Sequence, residues 1–211
     1  MADHPIFTES IRRIRALLGE TGLDPLQQQV LERLVHSSGD PGLQRLLRFS
    51  EGACEQGLAA LQGGAAILTD TAMAAAAVTP MAARTLGTSV RCLLDWAPEV
   101  SAQDSTRSAA AMLMAWPELT QTASVKGQPM PVLLVGSAPT ALEQLLDQLD
   151  AGALAPSLVI GMPVGFVGVP ESKRRLAATD LAQIRLEGTR GGAGLVAAAV
   201  NALCRASAAA E

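Results

Sequence analysis

His36 is one of two histidines in a chain of 211 residues. It lies in Leu34-Val-His-Ser-Ser-Gly-Asp40, where an apolar-periodic stretch runs out into small polar residues and a glycine. An imidazole placed there can exchange a proton near neutral pH, and a helix carboxyl end favours its charged form. A hydrogen-bonded structural histidine fits the same context. His4 lies close to a terminus and carries no assignment. Serine chemistry finds no support, since no Gly-x-Ser-x-Gly elbow is present. Cys54, Cys92 and Cys204 are far apart and form no CxxC pair or His-rich spacing. They read as small buried hydrophobes in a reducing compartment, and no metal site is expected.

Anion chemistry has stronger support. Three segments share one design, a strand end, then small or glycine residues, then a helix start. They are Gly136-Ser137-Ala-Pro-Thr140, Gly161 to Ser172, and Gly188-Thr-Arg190-Gly191-Gly192-Ala-Gly194. Helix amino termini present N–H groups and a positive dipole end, which suit carboxylates or phosphates. Arg107 and Arg190 add charge of the right sign. No Gly-Lys-Ser/Thr follows any of the three, so none is a Walker loop. The third matches a dinucleotide fingerprint only loosely and follows the wrong strand. No nucleotide cofactor is expected. The second segment is the richest, with Gly161, Pro163, Gly165, Gly168 and Pro170 between an apolar strand and Glu171-Ser172-Lys173. Such a loop suits a ligand wall, or a long connection shaped by packing.

The elements that must position these residues follow from periodicity. Residues 6–19 read as an amphipathic helix, with Ile6, Ile11, Ile14, Leu17 and Leu18 near one face. Asp24-Pro25 opens the helix that carries His36 and ends near Gly39. Pro41 to Phe49 and Glu51 to Gln62 read as further helices. Ala65 to Leu68 is a strand, with Asp70 placed to cap the alanine-rich helix that Thr79-Pro80 breaks. Ser89 to Leu94, Val132 to Val135, Leu158 to Ile160 and Leu181 to Leu186 are the other strands. Asp104 to Ser108 leads into a helix over Ala109 to Trp116, and Thr120 to Pro131 carries no strong periodicity. Ala141 to Leu149 and Leu195 to Leu203 are the last helices. Alternating strands and helices predict an α/β, three-layer fold, a mostly parallel sheet flanked by helices, with a helical N-terminal third. Residues 1–211 are expected to form a single domain.

Composition bounds the function. Hydrophobic residues make up 49% and charged residues 17%, enough apolar material for a sizeable core. Aromatics are only 2%, so Ala, Leu, Val and Met must build that core. A net charge of -4 with no long Lys/Arg block gives no global attraction for nucleic acid. No uninterrupted apolar run reaches membrane-spanning length, and the start has no signal-peptide core. A cytoplasmic protein without membrane contact is the expectation.

Taken together, the chain from about Ile6 to Leu203 resembles the precorrin-8X methylmutase family, including its cobalt-precorrin-8 branch. The match rests on Gly161-Met162-Pro163-Val164-Gly165-Phe166-Val167-Gly168 with Glu171-Ser172-Lys173. It also rests on His36 before Gly39, Ile67 to Asp70 with Met73, Thr106-Arg107-Ser108-Ala-Ala110, Gly136-x-Ala-Pro-Thr-Ala141, and Gly191-Gly192 before the last helix. Order and spacing agree throughout.

The resemblance implies an isomerase that shifts a methyl group from C-11 to C-12 of a corrin precursor, a 1,5-sigmatropic step in vitamin B12 biosynthesis. It implies no cofactor and no metal, a homodimer with sites near the subunit interface, and His36 as the acid that protonates the macrocycle. Ser10 and Arg107 match family positions that line the site. The three turns then supply the remaining substrate contacts, Ser137 and Thr140, Gly161 to Val167, Glu171 to Lys173, and Arg190 to Gly192. A rigid cavity and one proton donor suffice for such a shift. The chain departs from the family pattern at Ala72, Ala77, Ser137 and Thr189, where polar or glycine residues are usual. A non-catalytic corrinoid-binding or carrier paralogue is the alternative reading.

Overall fold

The structure is a computed structural model that describes residues 4–100 and 105–209. Asp104 lies outside the described residues. The elements run α1 (Pro5–Leu18), α2 (Pro25–Ser38), β1 (Leu47–Phe49), α3 (Ala53–Gln62), β2 (Ile67–Thr69), α4 (Ala72–Thr85), β3 (Val90–Cys92) and α5 (Arg107–Lys126). They continue with β4 (Val132–Val135), α6 (Pro139–Asp150), β5 (Leu158–Gly161), α7 (Val169–Ala177), β6 (Gln183–Leu186) and α8 (Ala193–Ala209). Short 3-10 turns cover Pro41–Arg45 and Leu93–Trp96.

The sheet order is β1-β6-β5-β4-β2-β3, parallel except for β1, which pairs antiparallel with β6. Alternation along each strand feeds two cores. Ile67, Val132, Leu134, Leu158 and Ile160 point to a core shared with α1, α2, α3, α4 and α8. Leu68, Leu133, Val135 and Val159 point to a second core with α5, α6 and α7. The expected three-layer α/β fold is therefore present.

Five local expectations are corrected. Pro41 to Phe49 is not one helix, because Leu47–Phe49 zips onto the edge of β6 and Arg48 pairs with Glu187 at 2.8 Å. Three residues carry too little periodicity to separate a strand from a helical turn. Pro80 does not break α4, and α5 runs through Pro117 to Lys126. Each proline sits on the water-facing side of its helix, as does the residue four before it, Ala76 or Leu113, whose carbonyl loses its N–H partner. Asp70 does not cap α4; the Thr71 hydroxyl does, accepting from the Ala74 amide. On α1, Ile14 and Leu18 are buried while Ile6 and Leu17 face outward.

Between β2 and β4 the connections part to opposite faces. The chain leaves β2 into α4, packed against α8, and leaves β4 into α6, packed against α5 and α7. Such a switch point opens a crevice at the carboxyl ends of the strands, where open α/β sheets bind ligands.

Candidate active site

Asp70 fills that crevice from inside. Its carboxylate is fully buried, and Oδ2 accepts from the amides of Gly136, Ser137 and Ala138 at 3.0, 2.6 and 2.8 Å. Burial pushes its pKa up against the opposing pull of the three amides. The turn before α6 therefore already holds an internal anion, so the reading of its amides as an open anion site is corrected. Ser137 is half-buried there, while Thr140 stays exposed. Its hydroxyl bonds that of Thr106, the cap of α5, at 2.7 Å. That contact brings Arg107 to the same edge of the sheet. Arg107 is exposed, and its Nε donates to the Pro98 carbonyl.

The three turns are stitched into one rim by backbone hydrogen bonds. The Val164 amide reaches the Gly136 carbonyl at 3.1 Å, and the Gly165 amide reaches that of Thr189 at 3.1 Å. The Gly192 amide bonds the Met162 carbonyl at 2.9 Å. Gly191 permits this approach, since a β-carbon there would stand 1.9 Å from the Met162 oxygen. Gly165, at φ 142°, holds a backbone that side-chain-bearing residues rarely adopt.

The rim separates the predicted contacts into two sets. Val164, Phe166 and Val167 stand out at the loop tip, Phe166 at 87% exposure. Met162, Pro163 and Ser172 are buried, and Gly161 sits against Leu176, so these four support the loop from below. Ser172 spends its hydroxyl on the Val169 carbonyl within α7. Glu171 is exposed and paired with Arg174 at 2.8 Å. Lys173 is buried, and its ammonium donates to the carbonyls of Gly188 and Arg190. The Arg190 side chain turns away from the rim to Asp40, at 2.5 Å, just beyond the end of α2.

His36 lies on the last turn of α2, whose Asp24 cap and left-handed Gly39 terminus match expectation. Its ring is exposed, with Nδ1 2.8 Å from the Ser10 hydroxyl of α1. Phe7 packs edge-on against it, with ring centroids 5.2 Å apart. The guanidinium groups of Arg33 and Arg205 lie 5.1 and 4.9 Å from the Phe7 ring. Partial burial and the charge of Arg33 hold the imidazole pKa below its ordinary value. That outcome runs against the helix end, which favours the charged form. From Phe7 a groove of about 500 Å³ opens between α1, α2 and α8, lined by Ile11, Arg12, Arg15, Arg33 and Arg205. Sequence reasoning missed Phe7, Arg33 and Arg205; the one available signal was the placement of a scarce aromatic on the helix that carries Ser10.

A doubly wound sheet with a cross-braced rim at its carboxyl edge, and a histidine-bearing helix whose end is tied to that rim by the Arg190–Asp40 ion pair, defines an open-sheet α/β protein. The chain belongs to the precorrin-8X methylmutase family, whose model (CbiC) matches residues 5–206, and it is an isomerase of cobalamin biosynthesis. It is 41% identical to a precorrin-8X methylmutase of Pseudomonas aeruginosa, over 94% of this chain and 93% of that one. It is 31% identical to a cobalt-precorrin-8 methylmutase of Synechocystis, over 95% and 94%. Its fold superposes on a solved precorrin-8X methyl mutase from Thermus thermophilus with a TM-score of 0.82, at 40% identity, covering 97% of this chain and 96% of that one.

Proposed function

We propose that this chain converts precorrin-8X to hydrogenobyrinic acid, or the cobalt form to cobyrinic acid, by the C-11 to C-12 methyl shift, with His36 as the acid. The observation that carries this reading is the Ser10–His36 contact on an exposed ring. When the Ser10 hydroxyl donates to Nδ1, the neutral ring keeps its proton on Nε2. When the ring is charged, Nδ1–H donates to Ser10 instead. In both states the serine fixes the ring, and Nε2–H is the proton that a substrate can take. A depressed pKa makes the imidazolium a readier donor. The proton goes to the macrocycle, the methyl group migrates within the same molecule, and the proton returns to the ring, so no co-reactant is consumed.

The substrate is a flat ring bearing several carboxylates. Val164, Phe166 and Val167 supply an apolar wall, and Arg107 and the arginines beside Phe7 supply positive charge at its margins. The exposed apolar loop tip also suits a homodimer in the cytoplasm, with the partner completing the wall. The deciding experiment is His36→Ala. Turnover should fall at least about a hundredfold while the product still binds. Wild-type turnover by that variant would remove His36 from the chemistry.

A further inference from the structure

Lys173 resembles part of the family's substrate-facing loop in sequence, yet the fold turns it inward. It is 2% exposed, and its Nζ lies 2.8 Å from the Gly188 carbonyl and 2.6 Å from that of Arg190. Burial alone lowers its pKa to about 8. A buried ammonium held by carbonyls is a costly way to pack a helix, because desolvation is not offset by a paired carboxylate. Glu187, an acid that lines the same cavity, is engaged by Arg48 at 2.8 Å and Arg185 at 3.5 Å. A methionine of similar length would fill the same slot without that cost.

What the ammonium does hold is the conformation of Gly188 to Arg190. Those carbonyls fix the backbone from which the Arg190 guanidinium reaches Asp40. Asp40 also accepts from the Gly42 amide at 2.9 Å and directly follows the Gly39 terminus of the His36 helix. The path from the α7 interior to the end of α2 is thus continuous: Lys173, the Arg190 carbonyl, the Arg190 side chain, Asp40, and the last turn of α2. Resting on the assignment of His36 as the acid, we propose that Lys173 is a positioning residue that sets the electrostatic surroundings of His36 through Arg190 and Asp40.

Among the described residues, groups from three helices surround the imidazole. Arg33 lies on its own helix, Ser10 and Phe7 come from α1, and Arg205 of α8 reaches it through Phe7. Asp40 with Arg190 forms an ion pair just past the Gly39 terminus of that helix. Loosening the 188–190 backbone lets Arg190 leave Asp40, exposes an uncompensated carboxylate, and raises the His36 pKa.

The test is an NMR titration of the ligand-free protein, in which only two histidine rings have to be told apart. Lys173→Met should raise the His36 pKa by roughly a few tenths of a pH unit, and Arg190→Ala by a similar amount. The double variant should match either single one, since both act through one path. An unchanged His36 titration in Lys173→Met, beside a shift in Arg190→Ala, would reduce Lys173 to packing and overturn the proposal. An unchanged titration in both would overturn it too. Should Lys173→Met fail to fold, Lys173→Arg supplies the comparison: a bulkier cation in that slot must displace the carbonyls and move the same resonance. No substrate enters these measurements, so their failure is distinct from a failure of the methylmutase assignment.

Discussion

At the scale of single residues the account turns on the state of His36. Its folded pKa is lowered, first by partial burial and then by Arg33. An acid catalyst works only while protonated, so the rate should fall as pH rises through a value below 6.5, the ordinary histidine figure. Arg33→Gln removes the neighbouring charge, so the midpoint of that fall should move upward by roughly a few tenths of a pH unit. A pH–rate profile of the two proteins checks it, and a downward or absent displacement would mean that Arg33 does not tune the ring. His36 could be nominated from sequence because its type is rare and its helix end is marked by Gly39. Ser10 came with the family resemblance, but Phe7 and Arg205 could not be named, because Phe7 meets the ring, and Arg205 meets Phe7, only through the packing of α1 and α8.

At the scale of elements the unit that matters is the rim. Its three turns were visible as strand-to-helix punctuation, but what occupies them was not. The charge of Asp70 was readable, while its burial against three amides across the β2–β4 crevice depends on long-range register. Asp70→Ala strands those N–H groups away from water and should cost roughly 2–4 kcal/mol of stability in a urea titration. Asp70→Asn keeps one acceptor oxygen and should lose less. Equal losses would show that the amides find other partners. The same reasoning explains Met162, Ser172 and Lys173, whose types fit a ligand wall but whose places under the loop were fixed by α7 starting at Val169. The helices through Pro80 and Pro117 teach a further lesson, since a proline ends a helix less reliably when the freed carbonyl faces water.

At the scale of the whole molecule, strand and helix alternation was enough to specify a three-layer sheet, because parallel strands buried on both faces read as short apolar runs. The antiparallel edge β1 was hidden by its length. The exposed tip of Val164, Phe166 and Val167 offers apolar surface beside the proposed site. With the proposed homodimer, Phe166→Asp should shift the protein toward monomer in sedimentation at micromolar concentration, with helix content unchanged. A wild-type protein that sediments as a monomer would place that surface against substrate alone.

The central claim is that this face performs the methyl shift rather than merely holding a corrinoid. Its most direct measurement is an absorbance assay of the wild-type protein with freshly made precorrin-8X and, in parallel, cobalt-precorrin-8. Catalytic conversion of at least one to its corrin product, with many turnovers per protein, is the predicted result. Tight binding of added product with no conversion of either substrate would contradict it and leave a corrinoid-binding protein in its place.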